Sequence, residues 1–201
     1  MPNWCHNLVK IEGPREILSL FSTALDHQLA EDKQVFFSNN VYNSDKGTFE
    51  PHANYSETEE NYSPLRTFIP IPSFFLSDEG FDKFGYDWCC KKWGTKWKEK
   101  DMSMSIAESE IEFSFSSPWG PPLIGYLAIS ELFPELMFVH YYEDHTADYI
   151  GISKFKNGDV IYSEEIDGSS FQIEDNPERT CDLITETRDN MEARAFVANK
   201  V

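Results

Sequence analysis

Basic charge is scarce in this sequence: 17 Lys and Arg stand against 35 Asp and Glu across 201 residues, a formal net charge of −18. A field of that sign repels nucleic acid and anionic membranes and attracts basic protein surfaces. The excess belongs to one half. Residues 1–100 carry 15 acidic and 11 basic groups, whereas residues 101–201 carry 20 and 6. Cysteine is also sparse. Cys5, Cys89, Cys90 and Cys181 are irregularly spaced, which argues against a disulfide framework and supplies no Cys-x-x-Cys motif. No stretch approaches the roughly 18 consecutive apolar residues of a membrane span. Met1–Cys5 has neither a basic flank nor an apolar run, so the expected location is a reducing cytoplasm, with no membrane partner. A Gly-rich phosphate loop, His-Glu-x-x-His and Gly-x-Ser-x-Gly are all missing, which removes the positive case for an enzyme of those classes.

Candidate chemistry thins out further on inspection. The five histidines, His6, His27, His52, His140 and His145, are scattered. Tyr141–His145 holds proton-transfer groups but reads as an acidic turn at a strand end. Cys5 and His6 are zinc-ligand types, yet neighbours on a strand point to opposite faces. The expectation is therefore no catalytic residue, no metal and no cofactor.

What is present is a folded body: hydrophobic residues make up 40% and aromatics 15%. Residues 4–12 alternate as a strand, with Cys5, Asn7, Val9 and Ile11 on one side. Pro14 opens a helix to about Leu25, along which Ile17, Leu18, Phe21 and Leu25 fall at helical spacing. Residues 38–64 are polar and aperiodic and read as an insertion. Thr67–Pro72 reads as an edge strand or extended entry segment, because two prolines remove ladder donors. Residues 78–100 place a short helix before a turn at Gly94. Residues 102–117 read as one long strand, Pro118–Pro122 breaks it, and a helix spans Leu123–Leu132. Strands follow at 137–142, 149–155 and 160–166, the last two joined by the hairpin signal Asn157-Gly158. A polar helix or tail occupies 171–201, with Pro177 near its start and Cys181, Ile184 and Thr187 or Arg188 on one side. The fold class is α+β: a ferredoxin-like β-α-β-β-α-β sheet over residues 1–170, with an extra C-terminal β-hairpin.

Two segments could carry recognition. Trp88, Lys91, Lys92, Trp93, Lys96 and Trp97 interleave large rings with cations, the ingredients of single-strand nucleic-acid binding. The competing role for these tryptophans is core filling, with the lysines reaching outward. In the acidic half, Glu108, Glu110, Glu112, Glu143, Asp144, Glu164, Glu165 and Asp167 come from neighbouring elements. Presented together, they would form a negative surface able to compete with phosphates for a basic groove on another protein.

Four stretches carry a family resemblance: Pro2-Asn3-Trp4-Cys5-His6-Asn7, Phe68–Pro72, Tyr86–Cys89 with Trp93–Trp97, and Ser117–Pro122. The chain resembles the YubB-like family encoded by phages and plasmids, over most of residues 2–165. It departs at Lys92, where relatives tend to have Asn. The resemblance implies a ferredoxin-like domain and a mobile-element origin, in a family of undefined biochemical role. The expected function is a non-catalytic acidic protein that binds a basic surface on a host protein, blocking a nucleic-acid-handling or defence complex. Nucleic-acid binding through residues 86–100 is the alternative, and an enzyme of unknown reaction is the third.

Overall fold

The computed structural model describes residues 3–35, 40–43, 48–51, 63–76, 80–144, 149–168 and 177–198. Six strands form one antiparallel sheet in the order β4-β5-β1-β6-β7-β8: β1 is Trp4–Glu12, β4 Lys100–Ile106, β5 Glu110–Pro118, β6 Met137–Asp144, β7 Tyr149–Lys156 and β8 Asp159–Asp167. The first four of these, with helices α1 (Arg15–Val35) and α4 (Leu123–Leu132), make the ferredoxin-like unit, and the β7–β8 hairpin extends its far edge.

Alternation along β1 dictates which face is dry. Cys5, Asn7, Val9 and Ile11 are buried, and their partners Ile111, Phe113, Phe115 and Ser117 on β5 are buried with them. Helices cover this face. From α1 come Leu18, Phe21 and Leu25; from α4, Tyr126 and Ile129; from the short α2 (Pro64–Phe68), Leu65; from α3 (Tyr86–Trp93), Cys89 and Trp93. Phe21 is the hub, with ring centroids of Phe68, Phe133, Phe113 and Phe138 within 4.8–6.1 Å in tilted or edge-on contact.

Among the described residues, the opposite face is covered in part. The terminal helix α5 (Pro177–Ala198) lies across β7 and β8, burying Met191 and Ala195 against Val139, Tyr141, Ile150 and Ile152. Lys154 Nζ, buried beneath it, donates to the Ala195 carbonyl at 3.0 Å and satisfies a last-turn acceptor. The segment expected as a polar helix or tail is thus a helix over Pro177–Ala198 that rests on the sheet through Met191 and Ala195.

Three expectations need correction. Thr67–Pro72 contains no strand: Ser63 caps α2 by accepting from Arg66 N, Pro64 sits in its first turn, and the helix runs through Phe68. The stretch expected as one strand over 102–117 is a hairpin, β4 and β5, turning at 107–109 without Gly or Pro. Its β4 is the edge strand, and its register slips between Lys100 and Ser103 at a bulge where Asp101 has φ 53°. Helix α1 outruns Leu25 to Val35 through a stretch that holds the helix formers Gln28, Leu29, Ala30, Glu31, Lys33 and Gln34. Within the expected insertion, a two-stranded hairpin is described, β2 (Asn40–Asn43) with β3 (Thr48–Pro51); the rest of 38–62 lies outside the described residues.

Candidate functional site

At the end of the sheet where β1 begins and β5 finishes, the segment from Gly94 to Lys100 connects α3 to the edge strand. Gly94 ends α3 in the left-handed conformation at φ 82° and donates to the Cys90 carbonyl at 3.1 Å, a geometry suited to a residue without Cβ. Two side chains then pin the segment inward. Thr95 Oγ1 donates to the Pro118 carbonyl at 3.0 Å, and both Thr95 and Glu99 are buried. The Glu99 carboxylate accepts from Ser63 Oγ at 2.6 Å, Leu65 N at 3.0 Å and Tyr126 Oη at 3.2 Å. Burial raises its pKa, while the Ser63 hydroxyl and the Leu65 and its own N–H groups pull it back down.

With 95 and 99 turned in, Lys96, Trp97 and Lys100 are displayed. Lys96 Nζ lies 4.5 Å from the centroid of Trp97, 5.5 Å from Tyr86 and 5.9 Å from Trp119. Lys100 Nζ lies 5.0 Å over Trp4, whose ring is 6.4 Å from that of Trp97. Trp119, Tyr86 and Trp97 are 67%, 42% and 37% exposed. Each exposed cation–ring contact contributes about 0.5–1 kcal/mol, so these lysines are held loosely. Trp119 is the most telling residue. Its φ of 74° lies in the region that penalises bulky side chains, its N–H donates to the Asn3 carbonyl at 2.9 Å, and its ring packs into no core. Its ring is thus carried on a strained backbone and left largely open to water.

The Trp/Lys segment therefore divides. Trp93 is core, donating Nε1–H to the Ile69 carbonyl at 3.0 Å, and the half-buried Trp88 meets it edge-on at 5.7 Å. Lys91 and Lys92 are exposed on the outer side of α3. Lys96 and Trp97 join Tyr86 and Lys100, which fall within the expected 86–100 segment, and Trp4 and Trp119, which the sequence pattern did not place there. Trp4 and Trp119 are far from residue 97 in the chain; the pairing of Trp4 with Pro118 across β1 and β5 brings them in.

The acidic set does not share one face. Glu110, Glu112, Glu143 and Glu164 project to the side of α5, whereas Asp144, Glu165 and Asp167 project to the opposite side, as their strand partners dictate. Glu108, in the β4–β5 turn, meets Arg15 at 3.0 Å; Glu112 is 4.0 Å from Lys10; Glu164 is bound by Arg194 at 2.7 Å, and Glu165 accepts from Tyr142 Oη at 3.1 Å. Asp144 is buried. His145 lies outside the described residues.

Below the patch runs a buried polar chain. Asn7 Nδ2 donates to the Cys5 carbonyl at 2.9 Å and Ser117 Oγ at 2.8 Å, and its Oδ1 is 2.9 Å from His140 Nε2. Ser117 Oγ donates onward to the Gly120 carbonyl at 2.8 Å, tying the Trp119 turn to the core. Burial takes His140 down to about 3 and pushes the Cys5 and Cys89 thiols up to about 12. Among the described residues, no three His, Cys, Asp or Glu converge as metal ligands, and no helix is long and apolar enough to cross a membrane.

Residues 92–186 match the family model described as the ferredoxin-like domain in Api92-like protein. The matched span contains Lys96, Trp97, Lys100 and Trp119, while Trp4 and Tyr86 lie before it. Among solved structures, the chain is similar to a protein api92 from Yersinia pseudotuberculosis, at 11% sequence identity and a TM-score of 0.48, over 83% of this chain and 98% of that one. No curated protein matches.

Proposed function

We propose, from the premise of a ferredoxin-like domain, that this chain is a non-catalytic binding protein that engages an anionic partner through Trp4, Tyr86, Lys96, Trp97, Lys100 and Trp119. The single observation behind this reading is the Lys96 ammonium set among three exposed rings, one of them on a strained backbone. Exposed Trp and Tyr around a cation supply large contact area at low entropic cost, the composition of binding hot spots. With Glu99 buried, the neighbouring lysines, Lys91, Lys92, Lys96, Lys98 and Lys100, outnumber Asp87 and Asp101.

Occlusion of a basic host protein by the acidic residues, and a mobile-element origin, rest on charge and resemblance alone. The distribution of those carboxylates over both faces adds no geometric support.

Retention on immobilised heparin, a polyanion, tests the reading. A chain of net charge −18 should flow through unless a local cationic patch holds it. The expected result is retention at low ionic strength, release by salt, and loss of retention in Lys96→Glu/Lys100→Glu with an unchanged circular dichroism spectrum. Flow-through of the native protein, or equal retention of the variant, overturns it.

A further inference from the structure

We infer that the anionic partner is a single-stranded nucleic acid, bound by stacking of its bases on Trp97 and Trp119 and by contact of its phosphates with Lys96 and Lys100. This inference rests on the binding surface just proposed and names its ligand class. In the free protein each lysine sits over a ring, Lys96 near Trp97, Tyr86 and Trp119, Lys100 over Trp4, and Lys100 also lies 3.7 Å from the Asp101 carboxylate, which a phosphate would replace. A ligand that exchanges for these contacts must offer two things at short spacing, a flat π face for the vacated ring and an anion for the displaced ammonium. Unpaired nucleotides offer both in every repeat. A duplex hides its base faces inside the stack and presents phosphates alone. An acidic peptide presents carboxylates without regularly spaced ring faces.

The rest of the molecule limits the complex. Phosphates beyond the patch meet a surface that is net acidic, so the footprint is a few nucleotides and the affinity modest. Salt acts in two senses, weakening the lysine–phosphate contacts while screening repulsion from the acidic body. The salt slope is therefore shallower than the lysine count alone would give. Trp88 and Trp93, turned into the protein, take no part.

The test is a tryptophan-fluorescence titration of the full chain with a 12-nucleotide oligothymidylate, alongside a duplex of equal length, heparin and poly-glutamate. Quenching by the single strand, with clearly weaker binding to the duplex, is expected. Trp119→Gly, which suits the φ of 74°, should weaken oligothymidylate binding about tenfold or more. Lys96→Gln should lower the log–log salt slope by about 0.7, and Lys96→Arg should restore binding. If heparin is retained but oligothymidylate neither quenches nor competes, the nucleic-acid inference falls while the anionic surface stands. If neither polyanion binds, both fall. Equal affinity for duplex and single strand, or displacement of oligothymidylate by poly-glutamate at matched charge, also overturns stacking as the basis of recognition.

Discussion

Trp119 sets a stability cost against a contact role. A non-glycine residue in the left-handed region costs about 1–2 kcal/mol, and a ring 67% exposed recovers little of that by burial. Trp119→Gly should therefore leave the denaturation midpoint unchanged or raise stability by about 1 kcal/mol while weakening the proposed contact; a clear loss of stability would show that the ring packs more than its exposure suggests. His140 gives a second prediction at this scale. Buried and neutral, with a folded pKa of about 3 against 6.5 in the unfolded chain, it contributes stability above pH 6.5 that is lost as pH falls toward 3. Between pH 7 and 5 the loss from this residue is about 2 kcal/mol. Glu99 titrates with the opposite effect. Its raised folded pKa adds stability as pH falls through that value toward 4.5. Urea denaturation at both pH values in a Glu99→Gln background isolates the histidine, and adding His140→Gln should remove most of the remaining slope.

Among the elements, those with a strong period were legible from sequence and those relying on caps or turns were not. Strand β1 and the N-terminal half of α1 followed from apolar spacing, and the β7–β8 turn from Asn157-Gly158, with Asn157 at φ 53° and Gly158 at φ 76°. Strand β4 escaped because Met102 and Met104 alternate with serines against a half-exposed edge, a contrast too weak to separate it from β5. Helix α2 was announced only by Ser63-Pro64, a cap and a first-turn proline lost among the prolines that follow. The proposed binding surface was half visible: Lys96 and Trp97 stood out, but Trp4 and Trp119 reach them only through strand pairing. Gly125 gives this scale its test. A Cβ there would lie 2.2 Å from Leu65 Cδ2 and 3.3 Å from the Trp93 backbone, so α4 approaches α2 and α3 only because the residue is glycine. Gly125→Ala gains helix propensity but overpacks this junction, and should cost about 1–2 kcal/mol. A calorimetric midpoint equal to or above that of the native chain would contradict this.

For the molecule as a whole, charge and layering act together. The helices over one face and α5 over part of the other leave the acidic groups spread on both sides, while among the described residues Lys96 and Lys100 gather with exposed rings at the aromatic end. Composition alone pointed the other way, because a net charge reports the sum over the surface and not its arrangement. The bulge at Asp101 has a wider consequence. Among the described residues strand β4 is the edge of the sheet, the usual seed for strand-to-strand growth between identical molecules, yet its register breaks within its first residues, beside Lys100 and the rings. A second copy laid along that edge would lose alignment where the aromatic end begins, which disfavours strand-to-strand growth from that side.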